Sequence, residues 1–533
     1  MDVGRLPSGG DELTPAEDSG PTKLKMHPLA QWSIFPIDLA PCPPEKCSVR
    51  SYQNYIGGQW SAAASGKTFE TRNPADSREV VASYPLSGTP EATAAIAAAQ
   101  AAFPKWAAQT AVARGRILSK ASQILESRKP ELAELLVREE GKTLTEATGE
   151  VGRAVDIFRY YGGISYSANG QTFPHDLAGN LMFTRREPLG VVALITPWNF
   201  PIAIPAWKAA PALLSGNAVV LKPASQAPAM TLEIARALHD AGLPAGVFNV
   251  VVGEGRPFGA EVASNPAVQA LSFTGSHAVG TSLYQAVAPR RIRCQLEMGS
   301  KNPTLVLADA DLDLAAKLVA IAGFGLTGQA CTATSRVIVE RPVLAAFTEK
   351  LIALAKVWKV GPGLAAGVQM GPAVNEAELQ GNFDAIQQAQ AEGAELLWGG
   401  GRLTEGDLAH GWFLQPAVLG NVTPTMRIAR EEVFGPVVAI LAVDSFEEAI
   451  QVANGVEYGL SASLITRDFK KAMLYSERIE AGVVKVNQIS TGLALHVPFG
   501  GVKQSSTDTF REQGTAALDF YTRSKTIYLD YSA

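Results

Sequence analysis

Apolar and polar positions fall into three regimes along this chain. The first 51 residues are rich in Pro, Gly, Ser, Asp and Glu and hold no sustained helical or strand period, which predicts a disordered or loosely ordered leader and a fold starting near Tyr52. From Thr89 the period becomes helical. Thr89 suits a cap, Pro90 a first turn and Glu91 the positive end of the helix dipole, and helices dominate to about Tyr161. Beyond that, short apolar runs alternate with amphipathic stretches: 191–196, 218–221, 248–252 and 270–273 predict strands, and 230–241 a helix. This alternation predicts an α/β fold with a parallel sheet covered by helices on both faces. A second series, 304–307, 336–340, 344–358 and 437–443, predicts another α/β unit, and 524–531 a strand able to pair with another subunit.

Composition narrows the class. A chain of 533 residues exceeds one ordinary core, so two or more domains are expected, and 47% hydrophobic with 18% charged residues is the balance of a globular enzyme. A net charge of −5 offers no basic footprint for nucleic acid. The apolar stretch 191–214 does not read as a membrane span, because Pro197, Pro201, Pro205, Pro211 and Lys208 interrupt it. Four cysteines, Cys42, Cys47, Cys294 and Cys331, are too few and too scattered for a disulfide framework, and the start of the chain lacks a secretory pattern, so a reducing, cytoplasmic setting is expected. Cys42 and Cys47 have no matching second ligand pair, and no metal site is expected.

The chemistry concentrates at Cys331, in Gly-Gln-Ala-Cys-Thr-Ala-Thr-Ser-Arg, and Glu297, in Leu-Glu-Met-Gly-Ser-Lys. A thiolate can attack a carbonyl and hold the substrate as a thioester, and a carboxylate can deprotonate the water that releases it. The glycines before Cys331 place it at a helix start, where amide groups lower a thiol's pKa, and Glu297 at the tip of a buried strand, where burial raises a carboxylate's basicity. Asn199, just past a strand in Ile-Thr-Pro-Trp-Asn-Phe-Pro, can donate to an oxyanion. Lys222 and Ser225 follow another strand and can reach ribose or phosphate oxygens. Phe273-Thr-Gly275-Ser276 runs from a strand into a helix whose free amides can face a pyrophosphate. Gly253, Gly255 and Gly259 only imitate a dinucleotide fingerprint, the last spacing being one residue too long.

Together with Glu432-Val-Phe434-Gly-Pro and Pro498-Phe-Gly-Gly-Val-Lys503, these strings resemble the aldehyde dehydrogenase superfamily from about Tyr52 to the C-terminus. The resemblance implies a Rossmann-type NAD(P)-binding domain (52–169 and 189–298), a catalytic domain (299–496) and a small oligomerisation sheet (170–188 and 522–533) in a homodimer or homotetramer. It implies attack by Cys331 on a small aldehyde, an oxyanion held by Asn199 and the Cys331 amide, hydride transfer to NAD or NADP, and water activation by Glu297. Thr196, Pro197, Trp198, Lys222, Ser225, Phe273, Gly275, Ser276, Glu432 and Phe434 would meet the cofactor, and Phe200, Trp207 and Phe499 would line an apolar substrate tunnel. Many NAD-preferring members carry glutamate where Ser225 stands; serine removes the repulsion of a 2′-phosphate, so NADP is expected to be accepted alongside NAD.

Three departures qualify the transfer. Ser300 replaces a usual glycine and could shift the base, the loop after Lys503 is longer and poorer in glycine, and Gly325 and Trp207 stand where succinate semialdehyde dehydrogenases tend to carry arginines. The strings around Cys331, Thr509 and Phe520 look most like the branch that oxidises 2,5-dioxopentanoate, with succinate semialdehyde and lactaldehyde as alternatives. A catalytically idle binding protein is the remaining reading, disfavoured by the intact Cys331 and Glu297. His496 is the one candidate named for a substrate carboxylate.

Overall fold

The computed structural model describes residues 49–167 and 170–532; the expectations for Cys42, Cys47 and the rest of residues 1–48 lie outside it. Arg50–Ser51, placed in the leader by the sequence pattern, pair in parallel with Ala82 and Ser83 of the strand Asp76–Pro85. The following helix, Thr89–Ala107, begins one residue earlier than Thr89 suggests as a cap. Gly88 takes the cap position, and Glu91 accepts its amide at 2.8 Å while also accepting the Ala64 amide.

Two seven-stranded sheets carry the molecule. In the first, Arg293–Glu297, Val268–Thr274, Val191–Ile195, Ala218–Lys222 and Phe248–Val250 lie side by side in parallel, and the hairpin Asn54–Ile56/Gln59–Ser61 closes the far edge. Strands such as Ala218–Lys222 are buried at every position, so each needs cover on both faces; the helices Ala203–Leu214 and Ala229–Asp240 pack in one core, and Thr89–Ala107 and Gly255–Ser264 in the other. Burying one such Val or Leu stabilises by roughly 1.5–3 kcal/mol.

The second sheet runs Glu395–Trp398, Ala417–Gly420, Val437–Val443, Arg336–Glu340, Pro303–Val306, Ser461–Ile465 and Val483–Val486, parallel except for its first strand. A third, three-stranded sheet joins Thr522–Asp530 to Asn180–Pro188 and Thr172–Phe173 in antiparallel register. Thr522–Asp530 is its edge strand and is mostly exposed. The helix Ala517–Tyr521 just before it returns to the core of the first sheet. Among the described residues no helix is long and apolar enough to cross a membrane.

Candidate active site

The two large sheets offer opposite edges to the same place. Thr196 to Phe200, Lys222, Gly275 and Glu297 stand at or just past the carboxyl ends of first-sheet strands, where parallel sheets leave a crevice. Ser300, Cys331, Glu432 and Phe434 stand just before the amino ends of second-sheet strands.

Cys331 sits in a turn, not at a helix start as the sequence suggests. The preceding short 3-10 segment, Gly325–Gly328, carries Leu326, Thr327 and Gly328 with φ of +54°, +56° and +65°. A side chain at Gly328 would strike the Gly435 carbonyl, so glycine is required there. The Leu326 amide donates to Glu146 Oε1 at 2.7 Å, and Thr327 Oγ1 to the Gly371 carbonyl at 3.1 Å. Asn302 Nδ2 donates to the Cys331 carbonyl at 2.8 Å. Without a helix terminus beside it, the thiol is raised above its ordinary pKa, first by burial and then by Glu432, Glu297 and Glu512.

Glu297 is the buried last residue of its strand, as its sequence context suggests. The Gly501 amide donates to Oε2 at 3.1 Å, and burial, followed by the negative charge of Glu512, holds the carboxyl well above the usual range. Ser300 leaves this base alone: its Oγ accepts from the Leu460 amide at 3.2 Å and its own amide donates to Glu432 Oε1 at 3.0 Å. Asn199 is buried and donates through Nδ2 to the Gln329 carbonyl at 2.8 Å, two residues before Cys331.

Cys331 lines two cavities. One, of about 220 Å³, is formed with Pro197, Trp198, Asn199, Thr274, Gly275, Ser276, Glu297, Gly299, Glu432 and Phe434. The other, of about 340 Å³, contains Phe200, Trp207 and Phe499. Trp207 meets Phe499 with ring centroids 6.1 Å apart and donates through Nε1 to Glu512 Oε2 at 2.9 Å. His496 is exposed and is not part of this lining.

The unpartnered polar groups in and around the first cavity suit the polar atoms of a nicotinamide dinucleotide. Thr274 Oγ1, in the lining, and Thr196 Oγ1 are buried without a partner, and Ser276 caps the helix His277–Val287 without using its side chain. Gly299 has no side chain where one would occupy the Glu432 carboxylate, whose pKa burial pushes up to about 7. Phe434, at φ +59°, turns its ring edge-on to Trp198. Phe273 is buried in the sheet core, Lys222 is buried with its pKa lowered to about 8 by desolvation, and Ser225 is exposed with its Oγ donating to the Gly253 carbonyl.

Several residues escape the sequence reading. Lys208 pairs with Glu512 in the interior and donates to Ser272 Oγ, which donates to Gln295 Oε1, whose Nε2 reaches Glu297 Oε1 at 3.4 Å. The available signal was a lone cation in the otherwise apolar helix Ala203–Leu214. Lys142 bridges Glu150 and the Asn199 carbonyl at 2.6 and 2.7 Å, and Glu150 accepts the Ile202 and Ala203 amides, fixing the Asn199 loop. Arg153 also lines the second cavity.

A thiol that lines two cavities, with a buried carboxyl beside it, is placed to act as the nucleophile of an enzyme. A model of the aldehyde dehydrogenase family matches residues 60–527, and the chain belongs to that family. It is 51% identical over 480 residues to an alpha-ketoglutarate semialdehyde dehydrogenase of Haloferax volcanii (90% of this chain, 99% of the relative). It is 44% identical to an alpha-ketoglutaric semialdehyde dehydrogenase of Bacillus subtilis (90% and 98%). Among solved structures, a betaine aldehyde dehydrogenase from Staphylococcus aureus in complex with NAD+ superposes with a TM-score of 0.88 at 32% identity, covering 91% of this chain and 95% of that one. The protein is an NAD(P)-dependent aldehyde dehydrogenase.

Proposed function

We propose that the protein oxidises 2,5-dioxopentanoate, which is alpha-ketoglutarate semialdehyde, to 2-oxoglutarate through a thioester on Cys331. The observation that carries the mechanism is Cys331 at the junction of the two cavities with the buried Glu297 carboxyl beside it. The names of the two semialdehyde dehydrogenase relatives support the substrate.

Cys331, once deprotonated, attacks the aldehyde carbon, and the oxyanion is held by its own amide and by the Asn199 Nδ2 hydrogen not used on Gln329. Glu432, Phe434, Trp198, Thr196, Pro197 and Gly275 would hold a nicotinamide, which would supply the hydride acceptor. Lys222, Ser225 and Ser276 would hold the adenosine and pyrophosphate portions, with Phe273 supporting them from the core. Glu297, made more basic by burial and Glu512, takes a proton from the water that attacks the thioester and releases the acid. With serine at 225, both NAD and NADP are accepted. The first sheet serves as the cofactor domain and the second as the catalytic domain. The three-stranded sheet, with its exposed edge strand, joins subunits in a homodimer or homotetramer.

Initial rates of reduced-cofactor formation with 2,5-dioxopentanoate, succinate semialdehyde and lactaldehyde, each with NAD and NADP, test this. The highest kcat/KM is expected for 2,5-dioxopentanoate, and Cys331→Ala is expected to lose activity by about 1,000-fold or more. Equal or better turnover of the other two aldehydes would remove the substrate assignment.

A further inference from the structure

The substrate cavity is lined largely by apolar side chains, yet it contains three charged residues: Glu146, Glu150 and Arg153. Both carboxylates are fully engaged elsewhere. Glu146 accepts the Leu326 amide on one oxygen and the Thr143 amide and hydroxyl on the other. Glu150 accepts the Ile202 and Ala203 amides on one oxygen and Lys142 on the other. Arg153 is different. It donates to the neutral Leu493 carbonyl and Gln513 Oε1, both at 2.7 Å, and the acid that acts on it through space, Asp156, is itself ion-paired to Arg159.

A second observation lies beside it. Arginine only donates, so the Gln513 amide must turn its oxygen to Arg153, and this leaves Nε2 buried with no partner among the described residues. Gln513 is 1% exposed and holds a φ of +62°, a strained conformation for a residue with a side chain. A half-buried cation whose hydrogen bonds go only to neutral groups, next to an unused amide donor, is arranged for an incoming anion rather than for stability.

We infer that Arg153 is the specificity residue that receives the carboxylate of a semialdehyde acid whose aldehyde end is at Cys331, with Gln513 positioning the guanidinium. The inference rests on the semialdehyde reading of the substrate given above and adds the group that recognises it. Burial also lowers the pKa of Arg153, an effect that Asp156 only partly opposes.

The test compares 2,5-dioxopentanoate, 5-oxopentanoate and pentanal as substrates of the full-length enzyme and of Arg153→Met and Arg153→Lys. Losing a charge-assisted contact should lower kcat/KM of Arg153→Met for both acids about 100-fold, mainly through KM, and leave pentanal unchanged. Arg153→Lys, which keeps the charge but not the fork, should recover part of that loss. A uniform fall across all three substrates would reduce Arg153 to a support for Leu493 and overturn the assignment. Wild-type preference for the acids that survives in Arg153→Met would overturn it while leaving the semialdehyde reading intact. Wild-type preference for pentanal would remove both.

Discussion

The two cavities that meet at Cys331 are built by different means. On the cofactor side main chain contributes much of the shape: strand ends, a helix start whose cap Ser276 leaves its side chain unused, a missing side chain at Gly299 and the left-handed Phe434. On the substrate side it is set by side chains from separate elements: Arg153 from one helix, Trp207 from another, and Phe499 and Leu493 from the segment after the second sheet. Main-chain geometry suits a ligand whose shape is shared across a family, whereas side chains can be exchanged to suit different aldehydes.

After loss of the thiol itself, the most damaging way to probe the shared centre is Glu297→Gln. Loss of the base should cut steady-state turnover by about 100- to 10,000-fold while preserving one burst of reduced cofactor per active site, read by rapid mixing. On the cofactor side alone, Gly299→Ala forces the Glu432 carboxylate aside. At the roughly 1–3 kcal/mol typical of overpacking, KM for the dinucleotide should rise about 5- to 150-fold with KM for the aldehyde unchanged. An equal change in both constants would show that the two sides are not independent.

The thiol reports on both sides at once. Because its pKa is raised, it is protonated at neutral pH, so alkylation of the cofactor-free enzyme by iodoacetamide should accelerate about tenfold per pH unit into the alkaline range, without a plateau near pH 7. Glu432→Gln removes one of the negative charges that raise it and should speed alkylation at fixed pH. The smallest effect belongs to Phe499→Leu. Losing an aromatic contact with Trp207 is worth about 0.5–1.5 kcal/mol, so KM for the aldehyde should rise about 2- to 10-fold and KM for the dinucleotide should not move.

The same contrast explains what could be read from the chain. The parallel strands were legible because strands buried on both faces leave continuous apolar runs, and Asn199, Lys222, Gly275 and Glu297 follow those runs directly. Phe200, Trp207 and Phe499 line one cavity, a grouping that the family resemblance implies and that no apolar run along the chain announces. Arg153 was not legible: along its own helix, Leu144–Gly163, it is one polar position among many, and only the tertiary fold turns it toward Cys331. The helix start expected before Cys331 failed because glycines announce conformational freedom without its outcome. Here that freedom is shared with Leu326 and Thr327, which bend left-handed against their preference.

That bend carries a practical consequence for anyone reshaping the enzyme. Leu326 lines the substrate cavity while holding a conformation that costs roughly 1–2 kcal/mol for a residue with a side chain. Exchanging it for glycine relieves that strain, offsetting roughly 0.5–1 kcal/mol of added chain entropy, and keeps the amide that Glu146 requires. Room for a bulkier aldehyde is therefore available at a position where enlarging the cavity and preserving the fold do not oppose each other.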